Sequence, residues 1–171
     1  WDDSRAKREG MGDFFKYLRA ELAGSAISAD IFGLSMDERQ SDLGIGQYLE
    51  TLLEYFDFIA PMIYPSHYAR GHMGYKNPAV FPYEVVKFSM ENGLARLMTH
   101  DLRQATGTNV SSTKSSVIGH KSAVKFRPWL QDFDLGAEYN EAMVRKQIQA
   151  VYDAASSTPE RIGGWMLWNP S

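Results

Sequence analysis

Four short β-type runs alternate with helical patterns along the 171 residues of the chain. The runs cover residues 25–33, 58–64, 123–133 and 163–169, and each follows a segment whose apolar residues recur at helical spacing. Strands that alternate with helices form parallel sheets through right-handed crossovers. We therefore predict an α/β fold with a parallel sheet.

Two architectures fit this order of elements. A doubly wound sheet of four strands would be complete but small, whereas a (β/α)8 barrel needs about 250 residues, so this chain would be its latter portion. Doubly wound folds gather their site at one switch point, often with a glycine-rich phosphate loop, and no such loop occurs here. Each run carries chemically capable residues toward its C-terminal side, where barrel strands place an active site; they are Asp30, then Tyr64 to His67, then Gln131 and Asp132, then Trp168 and Asn169. We predict that residues 1–171 are a partial (β/α)8 TIM barrel whose N-terminal half is missing.

The helical patterns leave one long segment without periodicity. Apolar residues share one face of a first helix that contains Met11 and Leu18, a second pattern runs from Ile45 to Phe56, and a third covers residues 82–98. Residues 99–122 are then rich in Ser and Thr. A loop of this length in a compact domain is usually functional or disordered. We predict a mobile loop insertion at residues 99–122, with a lid as the alternative.

Strand alternation selects two candidate catalytic carboxylates. Successive side chains of a strand face opposite sides, so Asp30 and Tyr64 should point into a barrel while β-branched neighbours pack on helices. The same alternation points Gln131 inward and leaves Asp132 at the rim. Strands two apart lie about 10 Å from each other, so Asp30 and Asp132 could approach the separation of about 5 to 9.5 Å used in glycoside hydrolysis. The structural alternative is that each carboxylate only caps a turn.

Other strand ends supply groups that could bind a sugar. Hydroxyl, imidazole and amide groups hydrogen-bond to sugar hydroxyls, and indole rings stack on sugar rings. The candidate substrate-binding residues are Tyr64, His67, Gln131, Trp129, Trp168 and Asn169. A surface or structural role for the histidine and a core role for the tryptophans are the competing interpretations.

Composition excludes several classes of function. The net charge of −3 and the pI near 5.8 argue against nucleic acid as a partner. No apolar run reaches the roughly 18 residues of a membrane span. Without cysteine, the chain has no thiolate ligands or thiol nucleophiles, and its four histidines lack metal-binding spacing. We expect no metal and no cofactor, and the sequence leaves an extracytoplasmic or cell-envelope location open.

Several stretches together resemble a known family. They are "SADIFG", "LGIGQYLE", "FDFIAPMIYPSHY", "NPAVFPYEVV", "RPWLQDF" and "GWMLWNPS". In this order they resemble the bacterial family named the putative glycosyl hydrolase domain, over nearly the whole chain except residues 99–122. The resemblance implies a (β/α)8 barrel of glycosidase-like ancestry and makes these strands the fifth to eighth. It also implies that an essential carboxylate follows the fourth strand, outside this sequence.

These observations lead to two hypotheses of function and a weaker third. The first is a glycoside hydrolase that acts on a polysaccharide or cell-surface glycan by carboxylate acid/base catalysis, with this fragment inactive without the missing half of the barrel. The second is a non-catalytic glycan-binding barrel, which would keep the aromatic and amide residues without a carboxylate pair. A metal-dependent hydrolase is disfavoured by the histidine spacing.

Overall fold

The computed structural model describes residues 3–106 and 123–170. Short 3-10 turns connect some of its helices and strands, at Pro65–His67, His72–Gly74, Pro78–Val80 and Pro159–Arg161. The helices are α1 (Asp3–Glu21), α2 (Leu34–Asp37), α3 (Leu49–Tyr55), α4 (Pro82–Thr106) and α5 (Glu141–Ala154). The strands are β1 (Ser28–Phe32), β2 (Phe58–Ile63), β3 (Lys125–Phe126), β4 (Trp129–Gln131) and β5 (Met166–Trp168).

All strand pairs in the sheet are parallel, as predicted. The order is β1-β2-β4-β5, and β3 also pairs with β2. This spatial order follows the order along the chain, so the described sheet contains no point where the strand order reverses. An α/β fold with a parallel sheet is therefore confirmed.

The third predicted strand, residues 123–133, forms as two short pieces. Proline has no N–H to donate to a sheet ladder, and Pro128 separates β3 from β4. Between the pieces, the backbone N–H of Arg127 still donates to Ile59 O at 2.9 Å. Phe58 pairs with Lys125 and Met62 with Trp129 at one constant offset. The two pieces therefore act as one interrupted strand.

The helices cover one face of the sheet. The side chains of Ile31, Ile59 and Leu130 are 0–1% exposed and belong to one apolar core. Residues of α1, α3, α4 and α5 complete this core, which we call the covered face of the sheet; examples are Phe15, Leu52, Met90 and Val151. The β-branched residues that alternation assigned to helix packing lie on this face.

Helix α4 is longer than predicted. Its start at Pro82 agrees with the pattern, but it continues to Thr106. Residues 99–106 of the predicted loop insertion at 99–122 are helical instead; His100 is 8% exposed and adds one buried residue beyond the predicted pattern, whereas residues 102–106 are exposed. Residues 107–122 lie outside the described part of the chain.

The second helical pattern fails at its start. Leu43, Gly44 and Gly46 all have positive φ angles of 57–79°, which an α-helix cannot contain. A Cβ on Gly46 would lie 2.6 Å from the Met11 side chain, so the turn also packs tightly against α1. Helix α3 consequently begins only at Leu49.

An ion pair holds the covered side together. The guanidinium of Arg96, 3% exposed, donates to both carboxylate oxygens of Glu50 at 2.6 and 2.8 Å. The same guanidinium donates to the carbonyl oxygens of Ser35, Met36 and Glu38 at the end of α2. Burial alone would raise the pKa of Glu50, but the hydrogen bonds and charge of Arg96 outweigh it and lower that pKa. Arg96 thus ties α2 and α3 to α4.

The described helices are amphipathic or charged rather than uniformly apolar. None of the described helices combines the length and the apolar character needed to cross a bilayer. The longest, α4, has 25 residues and carries charged side chains along its length, including Glu84, Lys87, Arg96 and Asp101.

Candidate functional site

The second face of the sheet is open to solvent among the described residues. Phe32 and Trp168 are 51% and 47% exposed, although both are large apolar side chains at strand ends. Asp30 and Arg127 are also exposed on this face, and Met62 is half-buried. We call this surface the open face. It carries the residues that alternation directed into a barrel.

Asp30 is held by an indole on the open face. The Trp129 Nε1–H donates to Asp30 Oδ1 at 3.2 Å, so the bond reaches from β4 across β2 to β1. The ring of Trp129 in turn meets Trp168 edge to face, with centroids 6.1 Å apart and an angle of 87°. Three of the predicted site residues are therefore joined directly.

Tyr64 lies where β2 ends and forms a cluster of rings. Its ring meets the rings of His67 and Phe133 nearly perpendicularly, at centroid distances of 5.2 and 5.6 Å. Burial raises the pKa of the Tyr64 hydroxyl to about 12, and the negative charge of Asp30 adds to this increase. The phenol therefore stays protonated at neutral pH and can donate a hydrogen bond. His67 remains exposed at the edge of the cluster.

Gln131 is fully buried and already engaged. Its Oε1 accepts a hydrogen bond from the Ser66 N–H, and its Nε2 donates to Phe133 O. Its backbone N–H and carbonyl pair with the side chain of Gln147 in α5. These contacts fix the loops that follow β2 and β4 relative to each other.

Asp132 and Asn169 follow the ends of β4 and β5. The Asp132 N–H donates to Trp168 O at 3.0 Å, which continues the ladder one residue beyond the end of β4. The register aligns Asp30 with Ala60, and the constant offset between β2 and the interrupted strand aligns Ala60 with Arg127. Asp132 lies five residues beyond that level, about 16 Å along the strand direction. Asn169 is exposed at the same end of the sheet.

Sequence reasoning missed Phe133 as a member of the site. Its ring closes the cluster around Tyr64, and its carbonyl accepts from Gln131. The signal was present in "LQDF", because an aromatic residue follows the polar strand end just as Tyr68 follows His67.

Sequence reasoning also missed a buried acid behind the open face. Asp37 accepts hydrogen bonds from Ser89 Oγ at 3.0 Å and Asn92 Nδ2 at 3.2 Å. Ser89 Oγ also lies 2.9 Å from the buried Tyr68 hydroxyl, and His72 Nε2 lies 4.0 Å from Asp37 Oδ2. Burial raises the pKa of Asp37 to about 6, against the opposing effect of its two hydrogen bonds, while burial lowers the pKa of His72. This network anchors the segment after β2 to α2 and α4.

Metal ligands are not gathered in the described part of the chain. Across residues 3–106 and 123–170, His, Asp and Glu side chains form no group of three or more that could hold a metal ion. The carboxylate of Asp30 instead has an indole N–H as its neighbour.

Comparison with known proteins assigns the chain to a family. Residues 2–171 match the family model described as "Putative glycosyl hydrolase domain". No curated protein and no solved structure matches the chain. The match covers the open face and the covered face alike, so both faces belong to a single family domain. The chain is a member of the putative glycosyl hydrolase domain family.

Proposed function

We propose that the protein hydrolyses a glycosidic bond in a polysaccharide or a cell-surface glycan. One observation carries the proposal: an exposed carboxylate, Asp30, lies on an open sheet face within hydrogen-bond reach of Trp129, which packs against the exposed ring of Trp168. Glycoside hydrolysis uses a pair of carboxyl groups that flank the scissile bond, and Asp30 can supply one of them. Membership of a glycosyl hydrolase-like family supports the same reaction class.

We propose further that these strands are the fifth to eighth of a (β/α)8 barrel. Parallel sheets occur almost only with both faces covered, whereas the described helices cover one face. The spatial order of the strands follows their order along the chain without reversal. A barrel requires this order, whereas a doubly wound sheet contains a point at which the strand order reverses. In this proposal the other half of the barrel closes the site opposite Asp30.

The chemistry needs two carboxyl groups with different protonation states. A carboxylic acid gives its proton to the bridging oxygen as the bond to the anomeric carbon breaks, and water supplies the hydroxyl to that carbon. The second carboxylate acts as nucleophile or takes the proton from the water. We assign Asp30 as the catalytic or charge-stabilising carboxylate.

There are two candidates for the second carboxyl group. The pair Asp30 and Asp132 stays a prediction, and the five-residue offset along the sheet weighs against it. We favour a carboxyl group from a strand in the other half of the barrel. In that case Asp132 contributes at the rim of the site.

The remaining candidates divide between substrate contact and support. We propose that Trp168 stacks on a sugar ring, because it is the most exposed tryptophan among the described residues of the open face. Tyr64, His67 and Asn169 are proposed to hydrogen-bond sugar hydroxyls. Because Gln131 is buried and engaged by two loops, we assign it the role of holding those loops in place.

The experiment compares three Asp→Asn variants of the full-length protein. The probes are 4-methylumbelliferyl glycosides of the common hexoses and N-acetylhexosamines, together with soluble polysaccharides. We expect Asp30→Asn to lower turnover on the order of 100-fold or more, while Asp13→Asn on α1 has no effect. Unchanged turnover in Asp30→Asn would exclude Asp30 as a catalytic carboxylate. An equally large loss in Asp132→Asn would restore the Asp30–Asp132 pair.

A second candidate function is glycan binding without catalysis. It is favoured by a specific observation: among the described strand residues on the open face, Asp30 is the single carboxylate. Titration calorimetry of the full-length protein with the same polysaccharides distinguishes the two. Heat of binding without product at any pH between 4 and 9 would support the binding function, whereas released sugar would exclude it.

A further inference from the structure

Trp129 reaches over a neighbouring strand to contact Asp30. In the register, Asp30 is level with Ala60, whereas Trp129 is level with Met62, two residues closer to the carboxyl ends of the strands. The indole must therefore lean back across β2 to bring its Nε1–H to 3.2 Å from Asp30 Oδ1. Among the described residues, this indole is the hydrogen-bond donor that the structure gives to Asp30.

A small residue lies beneath the Trp129–Asp30 hydrogen bond, which we call the bridge. Ala60 shares the open face with Asp30 and Trp129 by strand alternation, yet its side chain is fully buried. A methyl group on this side of the sheet can be hidden from solvent only by side chains that pass over it. Ala60 lies on β2, between the two strands that the bridge joins, so the indole of Trp129 is the side chain placed to shield its methyl group from solvent. A larger side chain at this position would occupy the path of the indole.

A second contact fixes the orientation of the indole. The ring of Trp168 meets Trp129 at 87°, and the register pairs Gln131 with Trp168 on the adjacent strand. The indole of Trp129 is thus held at its N–H by Asp30 and at its ring by Trp168. Because the contact with Trp168 limits the orientations of the indole independently of Asp30, its N–H can hold a flexible carboxylate in one rotamer.

We infer that Trp129 is a positioning residue for Asp30, and that the small side chain of Ala60 leaves the space that the indole needs to make this contact. The inference rests on the proposed function. The N–H occupies Oδ1, so Oδ2 is the oxygen that faces the substrate. Catalytic groups held in one geometry avoid the loss of rate that a displacement of about 1 Å can cause. This role differs from sugar stacking, which is left to Trp168.

The first experiment tests the bridge without reference to activity. The full-length protein is labelled with ¹⁵N at the indole nitrogens, and the Trp129 signal is assigned from its loss in Trp129→Phe. We expect Asp30→Leu, an apolar change of similar size, to move the Trp129 N–H signal upfield and to leave the Trp165 signal in place. An unmoved Trp129 signal would show that the bridge does not exist in solution and would overturn the inference.

The second experiment separates positioning from binding. Trp129→Phe keeps an aromatic ring beside Trp168 and removes the N–H. With the fluorogenic glycosides as probes, we expect kcat to fall on the order of 10- to 100-fold while KM changes less than about threefold. Trp165→Phe is the matched control, because Trp165 packs on the covered core and takes no part in the site; its kinetics should equal those of the wild type.

A third variant alters the bridge while leaving both partners intact. Ala60→Leu should displace the indole, so it should reproduce the upfield shift and the loss of kcat seen in Trp129→Phe. Wild-type kcat in either Trp129→Phe or Ala60→Leu would overturn the positioning role. If Asp30→Asn retains full turnover, the assignment of Asp30 as a catalytic carboxylate fails and the positioning role with it, although the hydrolytic function stands; the indole signal still reports whether the contact exists. If wild-type protein hydrolyses none of the probes, both proposals are contradicted.

Discussion

Two adjacent residues of β1 show how differently the two faces of the sheet are used. Ile31 is 1% exposed within the covered face, whereas Phe32 is 51% exposed on the open face. Both are large apolar side chains, so hydrophobicity alone does not decide their environment. The difference follows from strand alternation and from the placement of the described helices on one side. It shows that stability and candidate chemistry are assigned to opposite faces of one sheet.

The charged residues repeat the contrast. Arg96 on the covered side is buried and bound by Glu50 and three carbonyl oxygens. Arg127 on the open face is exposed, and its guanidinium lies 5.9 Å from the centre of the Phe58 ring. The charge of Arg96 on the covered side is thus neutralised and hydrogen-bonded within the fold, whereas the charge of Arg127 on the open face is exposed to solvent. Variants of the two arginines therefore test the comparison directly.

The largest expected effect is the loss of the Arg96 ion pair. Arg96→Ala in the 171-residue chain should lower the free energy of unfolding by about 3 to 5 kcal/mol, because Glu50 and the α2 carbonyls lose their partner in a buried site. Arg127→Ala should change it by less than about 0.5 kcal/mol. Urea denaturation followed by circular dichroism measures both. The double variant Arg96→Met, Glu50→Leu should recover much of the loss. Equal effects of the two Ala variants would contradict the distinction between faces.

The second prediction uses the adjacent pair in β1. Ile31→Ala should cost about 2 to 5 kcal/mol, through lost apolar burial and the cavity it leaves. Phe32→Ala removes a larger side chain but should cost less than about 0.5 kcal/mol, because solvent already reaches it. Chemical denaturation of the two variants under the same conditions gives the comparison. A large cost for Phe32→Ala would mean that another surface covers the open face in solution.

Strand alternation was the reliable part of the sequence information. It assigned Ile31 and Ile59 to helix packing, and the structure buries both. It also turned Asp30 and Trp129 to one side, where they share a hydrogen bond. Period-2 patterning carries this much because a sheet face is defined by every second residue, whatever the tertiary contacts.

Features set by backbone geometry or distant contacts were beyond the sequence. The helical pattern around Ile45 was overridden by left-handed glycines at positions 44 and 46. Asp37 lies in the strongly polar stretch "DERQSD", which by itself gives no sign of burial, but Ser89 and Asn92, more than fifty positions away, enclose it. The pattern predicted that Gln131 points into a barrel, but only the folded chain reveals that two loops occupy its amide. Local patterns contain no record of such partners.

Asp37 gives a pH dependence to the covered side. Its pKa is about 6 in the fold against an ordinary 3.8, so the folded chain binds this proton more tightly than the unfolded chain. The stabilising contribution is complete below about pH 3.8 and is lost as the pH rises through about 6. It amounts to at most about 3 kcal/mol.

We therefore expect Asp37→Asn to remove this contribution. The difference in unfolding free energy between wild type and variant, measured from pH 4 to 7, should grow in favour of the wild type as the pH falls. The lowered pKa of Glu50 acts in the opposite direction in both proteins, so it cancels in the difference. Asn92→Ala removes a hydrogen bond that lowers the pKa of Asp37. The unfolding free energy of this variant should therefore fall more steeply between pH 4 and 7 than that of the wild type. A difference independent of pH would contradict the raised pKa of Asp37.

The smallest effect on folding, below about 0.5 kcal/mol, concerns the open face itself. Phe32 and Phe14 are each 51% exposed, but Phe32 lies on the open face at an edge strand of the sheet, whereas Phe14 lies on α1. In the described sheet, β1 and β5 pair on one side only, and such edges invite pairing with another chain. We expect the isolated 171-residue chain to self-associate and bind a hydrophobic dye. Phe32→Ser should weaken both in sedimentation and fluorescence measurements, and Phe14→Ser should not. A compact monomer that binds no dye would instead favour a self-contained four-strand sheet over half of a barrel.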